Sequence, residues 1–184
     1  MEQYETLQTP IGAQPLSVAL EEVESQLLTN AKVSMSNVNY CQKNQKLNVT
    51  SGTMKHGRRM KLNCRHGYNI LIFSNGTVST SDDDIDNHCI LEITSISPGL
   101  VRIKGVEADL FLAMDNKGLL YGEPDPTNMS TIFIEQPEGP YSAYLSLKYR
   151  RKKWYIAIKK NGIIKRGPET KRRQHATHFL SIFV

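Results

Sequence analysis

Twelve lysines and arginines crowd residues 148–175 against a single acid, Glu169. They are Lys148, Arg150, Arg151, Lys152, Lys153, Lys159, Lys160, Lys165, Arg166, Lys171, Arg172 and Arg173. The segment carries +11 and the remaining residues −6, within a formal net charge of +5 for the 184-residue chain. Like charges this dense repel one another and destabilise the compact state unless something offsets them, so the segment predicts a polyanionic partner. Nucleic-acid readers interleave stacking aromatics or insert a helix into a groove. Here only Tyr149, Trp154 and Tyr155 are interleaved, Trp154 falls on the buried phase of a strand, and nothing resembles a recognition helix. No nucleic-acid partner is expected. A sulfated polysaccharide asks only for fixed cations and amide donors. Lys159-Lys160-Asn161 in a turn and Lys165 to Gln174 in a loop supply both. Lys-Arg-Gly-Pro and Lys-Arg-Arg also look like a nuclear-localisation signal, a pattern that recurs by chance.

Other chemistry finds little support. The chain has no GxSxG, HExxH, P-loop or GxGxxG pattern. Its histidines, at 56, 66, 88, 175 and 178, are scattered, and none pairs with a cysteine or carboxylate at ligand spacing. No catalytic residue, metal or cofactor is expected. Asp82-Asp83-Asp84 with Asp86 lacks the glycine and distant glutamate of a calcium loop and reads as a solvated, turn-rich loop. Cys41, Cys64 and Cys89 are odd in number and form no CxxC pair, so they read as free or buried thiols. Sequons at Asn48, Asn75 and Asn128 matter only on a secretory route. The start, Met-Glu-Gln-Tyr-Glu, lacks the basic and apolar regions of an ordinary signal peptide. No run of 18 apolar residues predicts membrane insertion.

What must hold the basic residues in place is a repeat. Tyr68 to Gly76, Leu110 to Gly118 and Trp154 to Gly162 share one pattern counted back from the glycine. At minus eight stand Tyr68, Leu110 and Trp154; at minus six Ile70, Leu112 and Ile156; at minus four Ile72, Met114 and Ile158. Val78, Leu120 and Ile164 follow at plus two. Period two predicts strands with one buried face, and each glycine marks a tight hairpin turn at positive φ, with Asn75-Gly76 and Asn161-Gly162 as strong hairpin dipeptides. Further strand signals come at Ile90–Ile93, Leu100–Val106, Ile132–Glu135, Tyr144–Leu147 and Phe179–Val184. About four short strands per repeat, about twelve in all, predict an all-β, pseudo-threefold barrel, the β-trefoil. The domain is expected over residues 56–184. Residues 1–55, rich in Gln, Ser, Thr, Asn and Glu, read as a mobile extension. Leu16, Leu20, Val23 and Leu27 allow a short amphipathic helix over 16–28.

Phe111-Leu-Ala-Met-Asp-Asn-Lys-Gly-Leu-Leu-Tyr-Gly122, Trp154 to Gly162, Lys165-Arg-Gly-Pro168 and His178-Phe-Leu180, in this order and spacing, resemble the fibroblast growth factor family from about Met60 to Val184. The resemblance implies a β-trefoil and an extracellular ligand that binds heparan sulfate and a receptor tyrosine kinase together, so that two receptors phosphorylate one another. It implies a polysaccharide site at Lys160, Asn161, Lys165, Gln174 and Ala176, with Arg166, Lys171, Arg172 and Arg173 as further contacts, to which the charge of the turn adds Lys159. It implies a receptor surface at Glu135, Tyr141, Leu180 and Ile182, although alternate residues of the last strand must face the core and Leu180 could be one of them. Several positions depart from the family pattern. Glu169 replaces a usual base, which shifts the expected footprint toward Lys171 to Arg173, and His175 replaces a lysine. Asn63 replaces a tyrosine, Ser142 an asparagine, Ser181 a proline and Thr131 a cysteine. Without a visible signal peptide, a secreted ligand would leave by another route. The alternative is an intracellular trefoil scaffold of the growth-factor homologous type, in the cytoplasm or nucleus, that does not activate receptors.

Overall fold

The computed structural model describes residues 57–184. The extension, its helix, Cys41, Asn48 and His56 lie outside the described residues. In the first repeat the chain runs through β1 (Arg58–Cys64), β2 (Asn69–Ile72), β3 (Val78–Ser81) and β4 (Leu91–Ser97). The second supplies β5 (Leu100–Gly105), β6 (Leu110–Met114), β7 (Leu120–Glu123) and β8 (Ile132–Glu138). The third supplies β9 (Tyr141–Ser146) and β10 (Phe179–Phe183). Its two inner passes are reduced to isolated bridges, Leu145 with Tyr155 and Ile158 with Ile164. Ten strands therefore stand where about twelve were expected. The local cause is Gly167-Pro168, which turns the chain away after Lys165 into a 3-10 turn. β1 has the period-two signal, with Met60, Leu62 and Cys64 buried, but the intervening basic and polar residues hid it from the sequence reading.

Antiparallel pairing links β1 to β10, β10 to β9, β9 to β8, β8 to β5, β5 to β4 and β4 back to β1. That closed ring of six strands is the barrel of a β-trefoil, and closure removes the sheet edges along it. The hairpins β2–β3 and β6–β7 and the 158–164 turn meet tip to tip. Gly122 N donates to Gly76 O at 2.8 Å, Gly167 N to Gly118 O at 2.8 Å, and Thr80 Oγ1 to Gly162 O. The residues at minus six and minus four, Ile70, Ile72, Leu112, Met114, Ile156 and Ile158, are all fully buried and fill the core with Leu62, Leu91, Ile103, Phe133, Tyr144 and Phe179.

The three turns share one geometry. Each glycine N–H donates to the carbonyl three residues back (Phe73, Asp115, Lys159), and that residue's own N–H donates to the carbonyl just past the glycine. Only the glycine takes positive φ, at +82°, +77° and +81°, as in a four-residue turn closed by a left-handed residue. Asn75 and Asn161 thus contribute through their side chains. Asn75 Oδ1 accepts from Thr77 N at 2.9 Å and Asn161 Oδ1 from Ile163 N at 3.3 Å. In the second repeat Asp115 Oδ1 takes this part, accepting from Lys117 N and Leu119 N at 2.8 Å each.

Candidate ligand-binding surfaces

The basic segment divides at Trp154. Before it, Arg150–Lys152 form a 3-10 turn. Lys152 Nζ lies 4.5 Å from the Trp154 ring and 5.7 Å from the Tyr149 ring. Trp154 is buried against Gly167, where a Cβ would approach its side chain to 2.8 Å. As the sequence suggests, this aromatic packs rather than waiting for a base.

After Trp154 the chain makes the 159–162 turn and then an irregular loop to β10. Two devices hold the loop. Thr170 Oγ1 accepts from the buried Tyr155 N at 2.9 Å and donates to Gly167 O at 2.6 Å. Lys165 Nζ donates to Gln174 Oε1 at 3.1 Å. Gln174 precedes the 3-10 turn His175–Thr177 without capping it. Asp86 and Asn128 precede the corresponding turns of the first two repeats, and their side chains do cap. Gln174 is thereby turned outward, and its carboxamide shares a surface with Lys165.

The predicted polysaccharide residues are partly engaged. Lys159 pairs with Glu169 at 3.3 Å, so the one acid of the segment is neutralised locally and occupies a cation as well. Arg172 Nε reaches Glu138 Oε1 at 2.5 Å, which holds the Glu138 carboxyl below its ordinary range and raises the guanidinium. Arg166 donates to Lys117 O at 3.3 Å, on the neighbouring hairpin tip. Lys160, Lys171 and Arg173 are exposed and form no ion pair among the described residues. Arg173 sits at φ +65°. Ala176 is buried with its carbonyl accepting from Ile158 N, so it can meet a ligand only through its own N–H. Glu138 and Lys117 were missed by sequence reasoning; Glu138 lies 34 residues from Arg172 and no local pattern marks it.

The second predicted surface lies along β8, β9 and β10. Phe179 takes the core side of β10 and is 1% exposed, while Leu180 and Ile182 are 37% and 45% exposed. The core-facing alternative for Leu180 is not realised. Phe179 pairs with Ser142 and Leu180 with Asn63. Tyr141 is half-buried and stacks on His178 at 5.4 Å, with the Arg65 guanidinium 5.4 Å from its ring centre. Glu135 accepts from Tyr144 Oη at 3.2 Å and lines a cavity of about 620 Å³ with Met60, Tyr144, Ser181 and Phe183. Burial, and then the Glu135 charge, push the Tyr144 hydroxyl far above its ordinary value, so it is a permanent donor. Asn63 donates to Asn69 Oδ1 at 3.0 Å, and Asn69 to Asp84 at 2.7 Å. A polar chain therefore occupies the place where the family resemblance puts an aromatic. Ile85, 86% exposed, lies in the same acidic loop. Arg65 and His178 were not among the expected surface residues.

Cys64 and Cys89 are free and buried, and burial raises both thiols. Asn128 Nδ2 donates to Glu123 and its Oδ1 caps Ser130, whereas Asn75 is exposed at a hairpin tip.

The chain is a closed β-trefoil that carries an irregular, cation-dense loop in its third repeat. The family described as fibroblast growth factor matches residues 58–180. The chain is 38% identical over 133 residues to a Danio rerio protein named for fibroblast growth factor 1, covering 72% of this chain and 89% of that one. It is 38% identical over 117 residues to fibroblast growth factor 1 of Xenopus laevis (63% and 75% covered). It is 37% identical over 105 residues to fibroblast growth factor 18 of Homo sapiens, spanning half of that protein's length. The chain belongs to the fibroblast growth factor family, whose members are growth factors and not enzymes.

Proposed function

We propose that this protein is an extracellular ligand that binds heparan sulfate and a receptor tyrosine kinase of the fibroblast growth factor receptor type, and so brings two receptors together. The observation that carries the reading is the loop of the third repeat. Among the described residues Lys160, Lys171 and Arg173 stand unpaired there beside Asn161 and the Lys165–Gln174 pair, as cations and amide groups that suit sulfate. Lys159, Arg166 and Arg172 ring this centre with their charges partly engaged, and Ala176 offers only backbone. Glu135, Tyr141, Leu180 and Ile182 supply the second contact, a carboxylate beside an aromatic and two exposed aliphatics, the chemistry that anchors protein interfaces. No cofactor, metal or nucleic acid enters this reading.

The test is binding to a fibroblast growth factor receptor ectodomain, with and without a heparin oligosaccharide, for the wild type and for Lys160→Glu/Lys165→Glu. The wild type binds the receptor, and binds it more tightly with heparin. The charge-reversed variant elutes from heparin at much lower salt, because affinity rests on screened attraction and counterion release. Unchanged elution rejects the polysaccharide site. Heparin binding with no receptor binding points instead to a scaffold of the growth-factor homologous type.

A further inference from the structure

His178 sits in the middle of the proposed receptor surface in a place that suits only its neutral form. It is 9% exposed, and neither ring nitrogen reaches a hydrogen-bond partner among the described residues. What holds it is the stack on Tyr141, with 16° between the ring planes. The charged and titratable groups around it come from four elements. Arg65 follows β1, and its N–H donates to His178 O at 2.9 Å. Tyr141 comes from β9. His175, in the preceding 3-10 turn, has its ring 6.1 Å away. Glu138 of β8 is the one acid, and Arg172 already holds it.

A proton on this ring adds a second buried N–H without an acceptor and places a cation beside Arg65 and His175. A buried charge without a partner is strongly disfavoured, and the ring relieves it by leaving the stack. Tyr141 then loses its support, and Leu180, two residues on, is displaced with it. Burial, then Arg65, and against them Glu138, set the ring's proton affinity below the ordinary histidine value, so the ring is neutral at pH 7.5. The sign follows. Below the unfolded histidine value of 6.5 the opened or unfolded ring holds more protons than the stacked one, so the stack loses stability as pH falls from there through the depressed folded value.

We propose that His178 makes the Tyr141–Leu180 surface acid-labile, so that the protein releases its receptor in mildly acidic compartments. The inference rests on the receptor reading above; the switch follows from a histidine whose charge change lies near physiological pH. The full chain is titrated against receptor ectodomain at pH 7.5, 6.5 and 5.0, at constant ionic strength and without heparin, alongside His178→Phe, which keeps a stacking ring without a titrating nitrogen. The wild-type affinity falls by about tenfold between pH 7.5 and 5.0, as the binding-competent fraction shrinks, and the variant stays within about twofold of its neutral value. In the free wild type, NMR shows the His178 ring titrating below the ordinary value, with the Tyr141 ring resonances moving at the same midpoint. An acid loss of equal size in His178→Phe overturns the proposal. So do Tyr141 resonances that ignore the His178 titration, and this arm decides even if the variant fails to fold. If the wild type binds no receptor at pH 7.5, the ligand reading falls, and the NMR arm still judges the switch separately.

Discussion

The first two repeats and the third follow one plan and part at three places. At minus seven from the turn glycine, Asn69 and Phe111 pair with strand residues Ser81 and Glu123. Tyr155 bridges Leu145 of β9 but pairs with no second hairpin arm among the described residues, and the Thr170 side chain takes its N–H. Before the last 3-10 turn, Asp86 and Asn128 cap while Gln174 faces Lys165. Just after the 3-10 turn, where the returning barrel strand begins, the first two repeats place Ile90 and Ile132, and the third places His178. At the first place a buried side chain takes over a ladder contact, at the second a cap is given up for a contact with Lys165, and at the third an apolar residue gives way to a ring stacked on Tyr141. Binding residues thus sit on a loop while the ladder of the other repeats keeps the barrel rigid.

The variant expected to break the third repeat most severely is Phe179→Ala. Its ring is in the core where β10 closes the barrel between β1 and β9. Truncation should cost about 3–5 kcal/mol in denaturant unfolding, the usual range for a buried phenylalanine. A loss under about 1 kcal/mol would show that the core relaxes around it.

Alanine at the three turn glycines sharpens the comparison. All three share positive φ, which costs roughly 1–2 kcal/mol for a residue with a Cβ. They differ in what the Cβ meets. At Gly118 it meets Gly167 N at 2.6 Å and Pro168 at 2.6 Å; at Gly162 the Tyr68 ring at 2.7 Å; at Gly76 nothing nearer than Gly122 O at 3.4 Å. The expected order of destabilisation is Gly118→Ala, then Gly162→Ala, then Gly76→Ala, because backbone yields less readily than a ring and a ring less than open space. An equal loss at all three would leave backbone conformation alone responsible.

Thr170→Val comes next. The substitution keeps the shape and removes the oxygen, leaving the buried Tyr155 N–H without a partner, at a cost of about 1–3 kcal/mol. Thr170→Ser should restore most of it. If valine and serine behave alike, the hydroxyl is not what holds the loop.

How much of this was readable in the sequence depends on the range of the interaction. The core positions at minus six and minus four and the turn glycines follow from local periodicity and were legible. β1 was not, because its signal is only three apolar positions, Met60, Leu62 and Cys64, alternating with half-buried Lys61 and Asn63 after two exposed arginines. The inward phase of Phe179, and hence the exposure of Leu180, is set by the register of Phe179 against Ser142 and Cys64, more than thirty residues away. The basic loop was legible as charge. Which of its cations are engaged was not, since Lys159 meets Glu169 and Arg172 meets Glu138 only through the folded loop, and the stack of His178 on Tyr141 joins the residue before β10 to the start of β9.

The smallest expected effects concern those engaged cations. The Lys159–Glu169 pair is solvent-facing, and such pairs add little to stability, so Glu169→Gln should leave the unfolding midpoint nearly unchanged; the Glu138 side chain is only 12% exposed against a half-exposed Arg172, so Glu138→Gln, which keeps an acceptor for the guanidinium, should lower the midpoint slightly. Their effect on heparin should differ. Glu169→Gln removes the one acid of the loop and frees Lys159 next to unpaired Lys160, so elution moves to higher salt and the slope of log affinity against log salt steepens by about one charge. Glu138→Gln frees Arg172 alone, at the margin of the loop, and should shift elution less. The reverse order would move the centre of the polysaccharide footprint from the 159–162 turn toward Lys171 to Arg173, where the replacement of a usual base by Glu169 first suggested it.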